Sequence, residues 1–278
     1  MHYEKNIIPS KKNPLSFSLL TILTYFLIEI VVFKFLKHYF IFNFINNQYV
    51  FEIINSLANI TIIIVIVFLF KFWAIYSIGS FKKSFKYTAV FIIFYFSIFA
   101  YDIIFKIQNK TNFKPFSGIV AGLLDLFLTG FGEESIFRGI VANSLALKYA
   151  KNKTGVYFSV IISGLMFGCA HIVNILSGVN IINGIMQILT ASIIGMFLTA
   201  AYFRGRNIWP LIILHCVIDS ASLLNFYFVK NYEYVEIVNE YLTASDFIYF
   251  LINITIYILA TLFLLRNRKI YEIINNFK

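Results

Sequence analysis

Charge is scarce in this sequence. Asp, Glu, Lys and Arg make up 13% of its 278 residues, whereas 60% are hydrophobic. A soluble domain is about a quarter charged and at most about half apolar, so a water-soluble globular fold is excluded. The composition fits an all-α, polytopic membrane helix bundle. Acidic residues are the scarcer sign, with 13 Asp and Glu against 23 Lys and Arg, a net charge of +10. In a soluble protein that excess would point to nucleic acid. In a membrane chain it has a simpler origin, because Lys and Arg collect at cytoplasmic span ends. A nucleic-acid partner is therefore set aside. Cysteine is almost absent. Cys169 and Cys216 both lie in apolar segments and read as small buried hydrophobes, not as a disulfide pair. Several catalytic signatures are missing too. No HExxH occurs, which argues against zincins and site-2-type proteases. No GxSxG supports a serine nucleophile. Tyr101-Asp102 is followed by no GxGD, so an aspartyl intramembrane protease is rejected. No internal repeat and no matching Gly/Pro-broken helices are present, which counts against a transporter.

What is present in abundance is apolar sequence. The N-terminus, MHYEKNIIPSKKNPLSF, is basic and leads into an apolar run of about 20 residues, long enough to span. A signal peptide has a shorter core and small residues at its cleavage site, so an uncleaved first span is expected. About eight spans are predicted, at residues 17–35, 54–70, 87–105, 118–147, 154–171, 182–203, 208–228 and 247–265. Placing the N-terminus in the cytoplasm puts Lys5, Lys11, Lys12, Lys71, Lys82, Lys83, Lys86, Lys148, Lys151, Lys153, Arg204, Arg206, Arg266, Arg268, Lys269 and Lys278 inside. Lys34, Lys37, Lys106, Lys110, Lys114 and Lys230 then lie outside. The bias is clear and puts both termini in the cytoplasm. The discordant stretch is Lys106 to Lys114, where a re-entrant helix would change the count. The acidic residues Glu233, Glu236, Glu240 and Asp246 fall outside and carry little weight.

Charges within spans need a reason, since one at the bilayer centre costs about 2.5–3.5 kcal/mol on insertion scales. Three clusters stand out. In EESIFR, Glu134 and Arg138 are four apart and share a helical face, so they can pair. Glu133 points about 100° away and lacks this partner. Its alternatives are a water-facing spare carboxylate or a general base. In FGCAH, Phe167 and His171 share a face. A lone histidine there is more often a packing residue than a catalyst. In HCVID, His215 and Asp219 are four apart, a spacing that suits a shared metal or a carboxylate that orients an imidazole. Taken together, one Glu, two His and one Asp on three spans form a set that can bind a metal or polarise a water. Asp125, two turns before Glu133, is a weaker candidate for the same cavity. Glu29 and Asp102 are expected to pair with other helices or to lie near span ends. Cys169 and Cys216 point away from the neighbouring histidines and are not expected as ligands.

The three clusters in this order resemble the EExxxR, FxxxH and HxxxN/D motifs of the CPBP intramembrane proteases, also called the Abi or CAAX protease and bacteriocin-processing family. The motif-bearing region runs over residues 118–228. The expected organisation is N-terminal transmembrane helices over 1–117, a catalytic helical core over 118–228, and a last helix with a basic tail over 229–278. The resemblance implies an intramembrane endopeptidase that cleaves a peptide or membrane protein within or beside the bilayer. By position, Glu133 would activate water with His171 beside it. His215 and Asp219 would hold a metal or stabilise the oxyanion. Glu134, Arg138 and Phe167 would support them. The resemblance leaves open whether Glu133, His171, His215 and Asp219 bind zinc or another divalent ion, or act without metal. Asp219 stands where many members have Asn. A carboxylate cannot donate to an oxyanion, which favours a metal-ligand or His-orienting role. The expected setting is a bacterial plasma membrane. The competing reading is a non-catalytic partner, such as a bacteriocin-immunity protein.

Overall fold

The computed structural model describes residues 12–43, 48–232, 234–239 and 243–277. Lys5, Lys11, Glu233, Glu240 and Lys278 lie outside the described residues. The described chain is helical throughout, with no strand and one isolated bridge, Phe113 to Val229. The long helices are α1 (Pro14–Asn43), α2 (Gln48–Leu69), α3 (Phe81–Gln108) and α4 (Phe116–Glu134). A π-helical segment, Ser135–Ala142, continues α4 into α5 (Asn143–Tyr149). Next come α6 (Lys153–Ala170), α7 (Ile172–Leu176), α8 (Ile181–Gly205) and α9 (Trp209–Ser222). The chain ends with α10 (Leu224–Phe228), α11 (Tyr234–Val238), α12 (Ala244–Leu264) and α13 (Asn267–Asn276).

Among the described residues, six helices are long and apolar enough to cross a membrane, and the protein is a multi-pass helical membrane protein. The other two predicted spans correspond to shorter apolar helices, Ile53–Leu69 and Trp209–Ser222. The predicted run 208–228 is divided because the backbone leaves helical geometry at Leu223 (φ −120°, ψ 28°). No re-entrant helix occupies residues 109–115. That segment is tied instead to the start of the 229 loop, where Lys114 N donates to Phe228 O (2.8 Å) and Lys230 N to Asn112 O (3.0 Å). Side-chain caps start several helices. Ser80 begins α3 and Asn152 begins α6, and Thr243 forms a capping box with Asp246 at α12.

Small residues bring the central helices close. A Cβ on Gly164 of α6 would lie 2.6 Å from Ser192 O of α8, and one on Gly168 only 2.5 Å from Ile188 O. This GxxxG pair lets the two backbones touch, which is how helices associate where lipid gives no hydrophobic drive. Aromatic rings fill the next layer, where Phe91, Phe197 and Tyr257 have centroids 4.6–5.3 Å apart. The two ends of the bundle differ in charge. Segments expected on the cytoplasmic side come together. Lys151 Nζ donates to Phe277 O (2.7 Å), Lys153 Nζ to Asn267 Oδ1 (3.1 Å), and Arg204 pairs with Glu272 (3.1 Å). The amphipathic helix α13 lies across this end, with Ile270, Ile273 and Ile274 buried. One expectation fails. Cys169 is exposed and Cys216 is half-buried; both are free. Successive helix residues are about 100° apart, so an apolar stretch does not by itself bury each of its members.

Candidate functional site

The π-helical turn directly follows the two glutamates of EESIFR. Such turns carry i to i+5 bonding and occur often at functional sites. Ser135 anchors it, donating to Phe131 O (2.6 Å) and accepting from Tyr76 Oη (2.9 Å). Glu134 and Arg138 are fully buried, with Glu134 Oε2 3.1 Å from Arg138 Nε. The guanidinium also lies over the Phe167 ring, 4.3 Å from its centroid, a contact that suits a cation withdrawn from water.

Glu134 does more than pair with Arg138. Its Oε1 lies 2.8 Å from His215 Nδ1. A carboxylate only accepts, so Nδ1 carries the proton. His215 Nε2 is thereby turned toward Glu133 Oε2 (3.6 Å) and Asp219 Oδ2 (3.5 Å). These two contacts are ion-pair distances, longer than a good hydrogen bond. Three carboxylates thus converge on one buried imidazole. The sequence spacing linked Glu134 to Arg138 but gave no sign of its bond to His215, which joins residues 81 apart. Phe167 is the spacer of the site. Its ring meets His171 edge-on at 5.2 Å and His215 at 5.9 Å.

Glu133, His171, His215 and Asp219 all line one cavity of about 280 Å³. His171 ends α6, and its Nδ1 lies 3.0 Å from Phe167 O. A carbonyl cannot donate, so Nδ1 is again the protonated nitrogen and Nε2 the acceptor. The same cavity is lined by Glu29 and Asp125. Asn59 Nδ2 donates to Glu29 Oε1 (3.2 Å), and Ser56 Oγ to Asp125 Oδ1. Glu29 therefore has the inter-helix partner expected of it and also faces the cavity, a second part the sequence reading withheld. Sequence reasoning missed the opposite wall altogether. There Asn174 and Gln187 bond each other (3.0 Å) and Tyr234 Oη (3.0 and 2.9 Å). The available signal was Asn174, polar and one turn past His171.

The metal expectation depends on how the donor side chains are arranged. Among the described residues, no group of three or more His, Cys, Asp or Glu side chains is arranged to hold a metal ion. Both histidines direct Nδ1 at protein oxygens, which leaves Nε2 of each for water, substrate or an ion.

Comparison with known families bears on the same region. Residues 115–221 match the family described as type II CAAX prenyl endopeptidase Rce1-like. No curated protein and no solved structure matches the chain.

Proposed function

From the match of residues 115–221 to the Rce1-like family, we propose that the chain is a CPBP/CAAX-type intramembrane endopeptidase working by Glu/His-activated water. One observation carries this reading. Glu133, Glu134 and Asp219 converge on His215 at a cavity that His171 also lines. The core is residues 118–228, with transmembrane helices before it and a final helix with a basic tail after it.

In this mechanism a water sits between Glu133 and Nε2 of His171, which accepts one of its hydrogen bonds. Glu133 removes the water's proton as its oxygen bonds to the scissile carbonyl carbon. The tetrahedral oxyanion is stabilised by the protonated Nε2 of His215, whose charge Glu134 and Asp219 balance. Collapse breaks the C–N bond, and Glu133 returns the proton to the leaving nitrogen. Asp219 accordingly orients and charges His215; it does not donate to the oxyanion. Arg138 and Phe167 act one step back, fixing Glu134 and separating the two imidazoles. The substrate is a peptide or membrane protein, and the active protein sits in a bacterial plasma membrane with both termini cytoplasmic.

The test is cleavage of a peptide library by the full chain in liposomes, with products identified by mass spectrometry. The wild type should give defined products, and His171→Ala should give none at equal amounts of folded protein. If neither protein cleaves and His171→Ala retains the cellular phenotype, the protein is a non-catalytic partner of the bacteriocin-immunity kind.

A further inference from the structure

Away from the carboxylate site, the basic end of the bundle holds a second cavity, of about 720 Å³. It lies between α3, α8 and α12, and it shares no lining residue with the candidate site. Its lining is divided along the helix axes. Lys86 lies near the start of α3, Arg204 in the last turn of α8, and Arg266 and Lys269 just beyond the end of α12. Four cations thus mark one level of the bundle. One turn or more farther in, the walls are Val90, Phe91, Phe197, Leu259 and Phe263. Val90, Leu259 and Phe263 are 74%, 60% and 62% exposed, so the slot is open sideways along its apolar length.

The cations are only partly neutralised. Glu272 pairs with Lys269 (2.7 Å), Arg204 (3.1 Å) and Lys83 (3.9 Å). Lys86 and Arg266 have no carboxylate partner among the described residues, and both are exposed. Arg204 is 3% exposed at its side chain. Its Nη1 donates to Lys269 O and its Nη2 to Tyr87 Oη, both at 2.9 Å. Its Nε has no hydrogen-bond partner. A rigid, buried guanidinium at the floor of a basic mouth, opening on an apolar slot, calls for an amphiphile with an anionic head.

We propose that this cavity binds an anionic phospholipid, its phosphate among Lys86, Arg204, Arg266 and Lys269 and one acyl chain in the slot between α3 and α12. Basic pockets between membrane helices recognise lipid headgroups in this way. A zwitterionic lipid brings no net charge to offset the unpaired cations. A free phosphate fills the mouth only and leaves the slot without an occupant.

The experiment is native mass spectrometry of the full chain released from nanodiscs holding equal phosphatidylglycerol and phosphatidylcholine. The wild type should retain phosphatidylglycerol selectively. The double variant K86Q/R266Q, confined to exposed side chains, should lower that retention about thirtyfold, given roughly fivefold per basic residue near a membrane surface. Leu259→Trp, which narrows the slot and keeps every cation, should lower it as well. Equal retention of the two lipids by the wild type overturns the proposal, as does retention unchanged in K86Q/R266Q. Displacement of the lipid by millimolar glycerol phosphate alone also overturns it, since the site would then recognise phosphate and not lipid.

Discussion

Replacing Glu134 with Leu removes both contacts at the centre of the site. Glu134 and Arg138 are each 0% exposed and 3.1 Å apart, and the other Glu134 oxygen holds His215 at 2.8 Å. Breaking a buried ion pair from one side costs about 3–5 kcal/mol, because the remaining charge is left uncompensated. The Phe167 ring under the guanidinium offsets about 1–2 kcal/mol of this, which puts E134L near the lower end, at about 3 kcal/mol. That corresponds to a fall of about two orders of magnitude in the folded-to-unfolded ratio. Arg138→Met alone should cost less, since Glu134 keeps its bond to His215. The double variant E134L/R138M leaves no uncompensated guanidinium, and should be more stable than E134L alone. Reversible unfolding in mixed SDS micelles, followed by far-ultraviolet circular dichroism, measures all four proteins. If the double variant's loss equals the sum of the single losses within about 0.5 kcal/mol, the two residues are not coupled and this account of Glu134 is refuted.

Three further outcomes are expected. Gly168→Ala places a methyl 1.9 Å from Ser192 Oγ and 2.5 Å from Ile188 O; overpacking of this kind costs about 1–3 kcal/mol or more, so the thermal midpoint in detergent should fall, and an unchanged midpoint contradicts the close α6–α8 packing. Asp219→Ala should lower kcat about 10–100-fold, the usual effect of losing an orienting carboxylate, with the thermal midpoint nearly unchanged; wild-type kcat contradicts its orienting role. The Lys269 hydrogen bond holds the Glu272 carboxyl below its ordinary range. A carboxylate lowered in the folded state contributes stability above its unfolded pKa and loses it as pH falls through the folded value. Hydrogen-exchange protection of Ile270, Ile273 and Ile274 should therefore drop below about pH 4, and protection that is constant with pH contradicts an ionic anchor for α13.

The bundle was legible because apolar length is local information. Long runs such as 87–105 and 247–265 require only counting, and the helices there extend to Phe81–Gln108 and Ala244–Leu264. The division of 208–228 at Leu223 was not legible, since no Gly or Pro marks it. Within the site, the 3.6-residue period links Glu134 to Arg138, and the pair is present. The same period treats Glu133 and Glu134 as pointing apart, whereas both reach His215 from opposite sides of its ring. That convergence depends on how α9 packs beside the α4–π junction, a long-range fact that spacing does not carry. The place of Glu29 and Asn59 on the cavity wall was hidden for the same reason. Their motif-free helices, α1 and α2, wall the cavity through packing alone.

The most direct test of the central claim is the kinetic split for Glu133→Gln. The substitution keeps the size of a side chain that is 27% exposed and, among the described residues, forms an ion pair only with His215, at 3.6 Å, so folding should be untouched. Against a cleaved peptide in liposomes, kcat should fall at least about 100-fold, as for loss of a general base, with KM and the thermal midpoint unchanged. A kcat equal to the wild-type value would contradict the assignment of Glu133 as the group that activates water.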